Sequence, residues 1–148
     1  MIYLLYGGDD LSVDEALLSM KADVTPAELR DVNVTVLNGS VLRLDELSAT
    51  CDTVPFLADR RMVIVEGLLG LFERGRPGVP TSRSPSRTLA AWDGLPDYLS
   101  GMPQTTHLAF KELQLSESNP LLTRLRPLAE VLKFPLPSRN ELQPWIRQ

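Results

Sequence analysis

Five short apolar runs punctuate the chain, at Ile2–Tyr6 and at residues 33–37, 62–65, 107–110 and 130–134. Four are continuous or nearly so, the pattern of strands buried on both faces of a parallel sheet. The second differs. Val32, Val34 and Val36 alternate with Asn33 and Thr35, which predicts a half-exposed strand at a sheet edge.

Helical patterns fill the intervals. Ser12-Val13-Asp14-Glu15 reads as a capping box, with Val13, Ala16, Leu17 and Met20 forming a stripe behind it. Thr25-Pro26-Ala27-Glu28 repeats the box, with proline at the first helical position. Leu44, Leu47 and Cys51 space a third helix. A fourth is predicted over residues 88–99, with Leu89, Trp92, Leu95 and Leu99 inward and Gly94 and Pro96 weakening it. Ser118-Asn119-Pro120 opens a fifth, carrying Leu121, Leu122, Leu125 and Leu128. Strand and helix alternate from end to end, which predicts an α/β fold with a mainly parallel sheet.

Two segments break the pattern. Residues 73–87 read ERGRPGVPTSRSPSR, too poor in apolar residues to offset their ordering entropy, and are expected to form a mobile loop. In residues 138–148, Pro144 favours a new helix holding Trp145 and Ile146. That pattern predicts a domain over residues 1–137 and the start of a truncated second domain over 138–148.

Composition narrows the chemistry. The chain has 148 residues, one cysteine and one histidine. Cys51 therefore has no disulfide partner within the chain, and thiolate or histidine metal sites are excluded for want of ligands. The longest nearly apolar run, residues 62–72, is short of a spanning helix, and the start lacks the basic residues of a signal peptide. A cytoplasmic protein without metal or cofactor is expected. Charge is uneven: residues 1–50 hold three bases against nine acids, whereas six arginines fall between residues 60 and 87. A pI near 5.0 argues against tight nucleic-acid binding, and most of these arginines read as solvated surface.

The turn after the first strand, Tyr6-Gly7-Gly8-Asp9-Asp10-Leu11-Ser12, stands where α/β proteins hold phosphate. It lacks the lysine of a P-loop and puts two carboxylates where phosphate would sit, so nucleotide binding is disfavoured. Gly-Gly-Asp-Asp also resembles the cyclic-dinucleotide synthase signature, but that signature belongs on a hairpin deep inside a longer domain. A phosphoacceptor receiver domain is the sharper rival. Asp9 and Asp10 would be its Mg²⁺-binding pair, Glu66 would stand at the acceptor position and Lys111 would end the fourth strand. Against it, the acceptor should be aspartate, and acids at a helix start have their own electrostatic reason to be there.

The segment from Thr53 to Arg61 puts Pro55-Phe56-Leu57 on a connection. Connections lie at the surface. The two large side chains either fold back into the core or form an exposed anchor for a partner. His107, Cys51 and Trp92 read as core or rim residues.

The run Pro55-Phe56-Leu57-Ala58-Asp59-Arg60-Arg61, followed by the apolar strand, resembles the Pro-Phe-Phe-(Ser/Ala)-(Asp/Glu)-Arg-Arg stretch of the delta subunit of the bacterial DNA polymerase III clamp loader, in its N-terminal domain. Ile2-Tyr3-Leu4-Leu5-Tyr6-Gly7, Leu108-Ala109-Phe110, Ser118-Asn119-Pro120-Leu121 and Leu142-Gln143-Pro144-Trp145-Ile146 add to the resemblance, which covers essentially the whole chain. It implies an AAA+-type, P-loop-like three-layer fold with strand order 5-1-4-3-2 and a degenerate phosphate loop. It also implies a DNA-replication subunit that grips and helps open the sliding clamp (the beta subunit) and has no ATP hydrolysis of its own. The clamp-inserting apolar pair falls on Phe56 and Leu57, supported by Pro55, Arg60 and Arg61. Other loader subunits are the further partners, with DNA met indirectly or weakly. The inserted residues 73–87 depart from the family pattern.

Overall fold

A computed structural model describes residues 1–73 and 89–135. The predicted second-domain start at 138–148, and all of the 73–87 loop except Glu73, lie outside these residues. The strands are β1 (Ile2–Tyr6), β2 (Val34–Asn38), β3 (Arg61–Glu66), β4 (Thr106–Lys111) and β5 (Glu130–Lys133). They pair in parallel as one sheet in the order β2-β3-β4-β1-β5, the expected 5-1-4-3-2 read from the other side.

The helices are α1 (Asp10–Ala22), α2 (Arg30–Asn33), α3 (Leu44–Asp52), α4 (Leu95–Ser100) and α5 (Pro120–Leu125), with 3-10 turns at Ala27–Leu29, Leu69–Phe72 and Leu89–Trp92. Right-handed crossovers set their faces. The step from β1 to β2 runs one way along the sheet, and every later step runs the other way. The α1 helix therefore lies on one face, and α3, α4 and α5 lie on the other.

The strands feed both layers by alternation. Leu4, Val63, Val65, Leu108 and Phe110 join Leu47, Cys51, Trp92, Leu95 and Leu122 in the larger core. Leu5, Met62, Ile64 and Ala109 join Val13, Leu17 and Val24 in the smaller one. Each buried aliphatic side chain is worth about 1.5–3 kcal/mol. Cys51 and Trp92 are core residues, as expected, and burial pushes the Cys51 thiol up to about 12.

Several local expectations shift. The α1 cap is Asp9 rather than Ser12: the Asp9 carboxylate takes the Ser12 N–H at 3.1 Å and the Ser12 hydroxyl at 2.7 Å. The Thr25 box gives only a 3-10 turn leading into four residues of helix, because the Thr25 N–H is spent on Asp59. The helix expected over 88–99 splits into a 3-10 turn and α4 around Asp93 and Gly94. The β5 strand, expected to be buried on both faces, is an edge strand with Glu130 and Lys133 exposed. Glu73 does not behave as loop: it accepts from the Ser116 N–H at 2.8 Å and from the Asn119 amide.

Candidate functional site

The connection from α3 to β3 reaches the amino-end edge of the sheet. Phe56 is 56% and Leu57 74% exposed there, beside Val54 at 78%. Neither Phe56 nor Leu57 plugs the core. Their neighbour Ala58 does pack inward, against the smaller core.

The loop's backbone is tied down on both sides of Leu57. The Asn33 side chain, fully buried at the end of α2, accepts from the Phe56 N–H at 2.7 Å and donates to the Phe56 carbonyl at 2.9 Å. It also donates to the Leu29 carbonyl at 2.9 Å. Beyond Leu57, the Asp59 N–H donates to the Thr25 carbonyl at 3.0 Å, and the Asp59 carboxylate accepts from the Thr25 N–H at 2.9 Å. That second bond, and then the Arg60 guanidinium, hold the Asp59 carboxyl below its usual range. Leu57 itself sits at φ +52°, in the left-handed region that costs a non-glycine residue about 1–2 kcal/mol. Such a conformation persists where the surroundings over-determine it.

The flanking residues divide. Pro55 is half-buried at the base of the loop. Arg60 pairs with Asp59 at 3.2 Å and borders a shallow recess with Tyr3, Met20, Asp23, Met62 and His107. Arg61 turns to the β2 edge, donating to the Thr35 hydroxyl at 3.3 Å. His107 stacks on Tyr3 with centroids 6.4 Å apart, and desolvation, then the N-terminal ammonium and Arg60, hold it below its ordinary value.

The opposite, carboxyl-end edge holds the Gly7-Gly8-Asp9-Asp10 turn. Connections leave β1 and β4 on opposite faces, which is where open α/β sheets bind ligands. Here the crevice is stitched by the chain itself. The Gly7 N–H donates to the Leu113 carbonyl at 2.7 Å, and the Asp9 N–H donates to the Phe134 carbonyl at 3.0 Å. A Cβ on Gly7, at φ +142°, would stand 2.0 Å from the Phe134 carbonyl oxygen. The Asp9 carboxylate occupies the start of α1, and the Ser12 hydroxyl and N–H hold its pKa below the usual range. Buried Glu112 accepts from the Leu69 and Gly70 N–H groups at 2.9 and 3.0 Å, beside a cleft of about 350 Å³ bordered by Glu66, Lys111 and Leu113.

The receiver reading does not survive this geometry. Receivers order their strands 2-1-3-4-5, whereas β1 here lies between β4 and β5. Asp9 is committed to Ser12, and Lys111 pairs with Asp14 at 2.7 Å and Glu66 at 3.5 Å. No cluster of three or more potential metal ligands forms among the described residues.

Asn33 is the residue that the sequence reading misplaced. The valine alternation set it on the exposed side of a strand. It instead ends α2, fully buried, while Val32 is 55% exposed. Its only signal was an amide inside an apolar run.

The sequence model of the DNA polymerase III delta subunit family matches residues 3–134. Over 65 residues the chain is 32% identical to DNA polymerase III subunit delta of Bacillus subtilis (strain 168), a stretch covering 44% of this chain and 19% of that protein. The fold matches a solved structure of the Bacillus subtilis DNA clamp loader delta protein with a TM-score of 0.76 at 21% identity. That match covers 97% of this chain and 41% of the solved chain, so the present chain spans well under half of its relative's length. The family match extends from β1 through β5, and the chain belongs to the DNA polymerase III delta subunit family.

Proposed function

We propose that this domain is the clamp-gripping module of a bacterial clamp loader, inserting Phe56 and Leu57 into an apolar pocket of the sliding clamp and helping to open the ring. One observation carries the reading: two adjacent large apolar side chains stand in solvent on a loop whose backbone is fixed at Phe56 and Asp59. Exposed apolar clusters with a polar rim mark partner surfaces, and their central anchors supply most of the affinity. Pro55 stiffens the approach, and the Asp59–Arg60 pair supplies a polar rim, while Arg61 turns to Thr35 on β2.

The rest of the proposal follows from family membership and the closed crevice. The domain acts in the cytoplasm during DNA replication and has no catalytic role of its own. An AAA+-type ancestry accounts for a phosphate loop whose donors are now spent on Asp9, Leu113 and Phe134. Residues 1–137 form this module and 138–148 lead into a second domain, through which other loader subunits would be met. No described helix is long and apolar enough to cross a membrane.

The test is a calorimetric titration of the chain with the sliding clamp of the same organism. Saturable binding is expected, and no binding would overturn the clamp reading. Titration with Mg-ATP is expected to give no binding heat; a micromolar Kd would contradict the closed-crevice account.

A further inference from the structure

We propose that Asn33 is a positioning residue for the clamp-binding finger, fixing Phe56 and Leu57 outward before any partner arrives. The inference rests on the clamp reading above and adds to it the device that shapes the site.

Asn33 binds the N–H and the carbonyl of Phe56 as a residue of a neighbouring strand would. Its Oδ1 accepts from the Phe56 N–H and its Nδ2 donates to the Phe56 carbonyl, across 23 residues of sequence. The same Nδ2 donates to the Leu29 carbonyl, which fixes the amide's own orientation on α2. The carboxamide is fully buried, so water does not compete for these bonds. With both backbone groups of Phe56 held by Asn33, its side chain stands 56% exposed. The Asp59–Thr25 pair closes the far side of the loop, and Ala58 packs inward between the two ties. Leu57 is left at the apex, in a left-handed conformation that no hydrogen bond of its own explains. Two ties and one inward alanine hold it there.

A finger held in this way binds with less ordering cost than a free loop. Any hydrogen-bonding side chain of the wrong length would lose the arrangement, because a two-sided grip on the N–H and carbonyl of one residue needs a donor and an acceptor on a single short amide. Asparagine meets that need. Serine is too short to span both groups, and alanine offers neither.

The experiment follows the Phe56 amide by NMR hydrogen exchange in the full chain, and clamp affinity by titration, for the unsubstituted protein, Asn33→Ala and Asn33→Ser. The Phe56 amide is expected to be protected although its side chain is exposed. Asn33→Ala should remove that protection while β1, β3 and β4 amides stay protected. Clamp affinity should fall about tenfold, and by less when Leu57→Ala is already present, since the two substitutions then act on one disturbed site. Lost loop protection with unchanged affinity would overturn the positioning role. If Asn33→Ala does not fold, Asn33→Ser is read in the same way; if neither folds, Asn33 is a core-holding residue and the proposal fails. No clamp binding by the unsubstituted protein would instead overturn the clamp reading, while the exchange data still decide whether Asn33 fixes the loop.

Discussion

The two edges of the sheet use the same device to opposite ends. At each, a short side chain binds backbone groups that would otherwise need water or a ligand: Asp9 at the carboxyl edge, Asn33 at the amino edge. Asp9 sits on the N–H groups that a phosphate would use, so satisfying the backbone fills the site. Asn33 satisfies the Phe56 peptide from behind, so satisfying the backbone presents two apolar side chains to solvent. A crevice is closed by meeting its donors, and a finger is built by meeting the donors at its base.

Substitutions at the closed edge should cost stability and leave partner binding alone. The largest effect is expected for Gly7→Ala. Its Cβ would meet the Phe134 carbonyl at 2.0 Å from a backbone conformation reserved for glycine. About 3–5 kcal/mol of stability should be lost in denaturant unfolding, with β5 detached first in hydrogen exchange. Next comes Glu112→Ala, which removes the carboxylate that accepts from the buried Leu69 and Gly70 N–H groups and should cost about 2–4 kcal/mol. A drop in clamp affinity that exceeds the loss of folded protein, in either variant, would break the separation of the two edges.

The smallest effect is at Asp9. Asp9→Ala removes an exposed cap and should lower Tm by only a few degrees. Its pH signature is more telling. The folded-state pKa lies below the ordinary 3.8 because Ser12 donates to the carboxylate. The contribution is therefore full above pH 3.8 and is lost as pH falls through the lower, folded value. Thermal melts of Asp9→Ala should converge on those of the unsubstituted protein in that acid window and diverge above it. Parallel curves throughout would mean that the carboxylate is not the cap.

The fold was legible because burial on both faces leaves few ways to write a central strand. All five strands are located to within one residue at each end, and in the central ones Val63, Ile64, Leu108 and Phe110 admit no other reading. The errors fall where tertiary partners outbid local signals. Ser12 has the better local box, but the helix starts one turn earlier, where Asp9 takes the N–H and the hydroxyl of Ser12 itself. Thr25 had a cap motif, but Asp59, 34 residues on, took its N–H. Phe56 and Leu57 were ambiguous between core and surface, because apolar residues on a connection serve either. Asn33 was misread outright: one residue of displacement at the start of β2 exchanges inside for outside. The partner of its amide lies 23 residues away, and no local pattern encodes it.

The central claim is tested most directly by Phe56→Ala combined with Leu57→Ala, measured for both melting temperature and clamp affinity. Two side chains at 56% and 74% exposure contribute little to the core, so Tm should barely move. Losing a central apolar anchor commonly costs about 2–4 kcal/mol, a 30- to 1,000-fold loss of affinity. Unchanged stability with binding abolished is the predicted result; a variant that melts normally and binds the clamp as well as the unsubstituted protein would contradict the account.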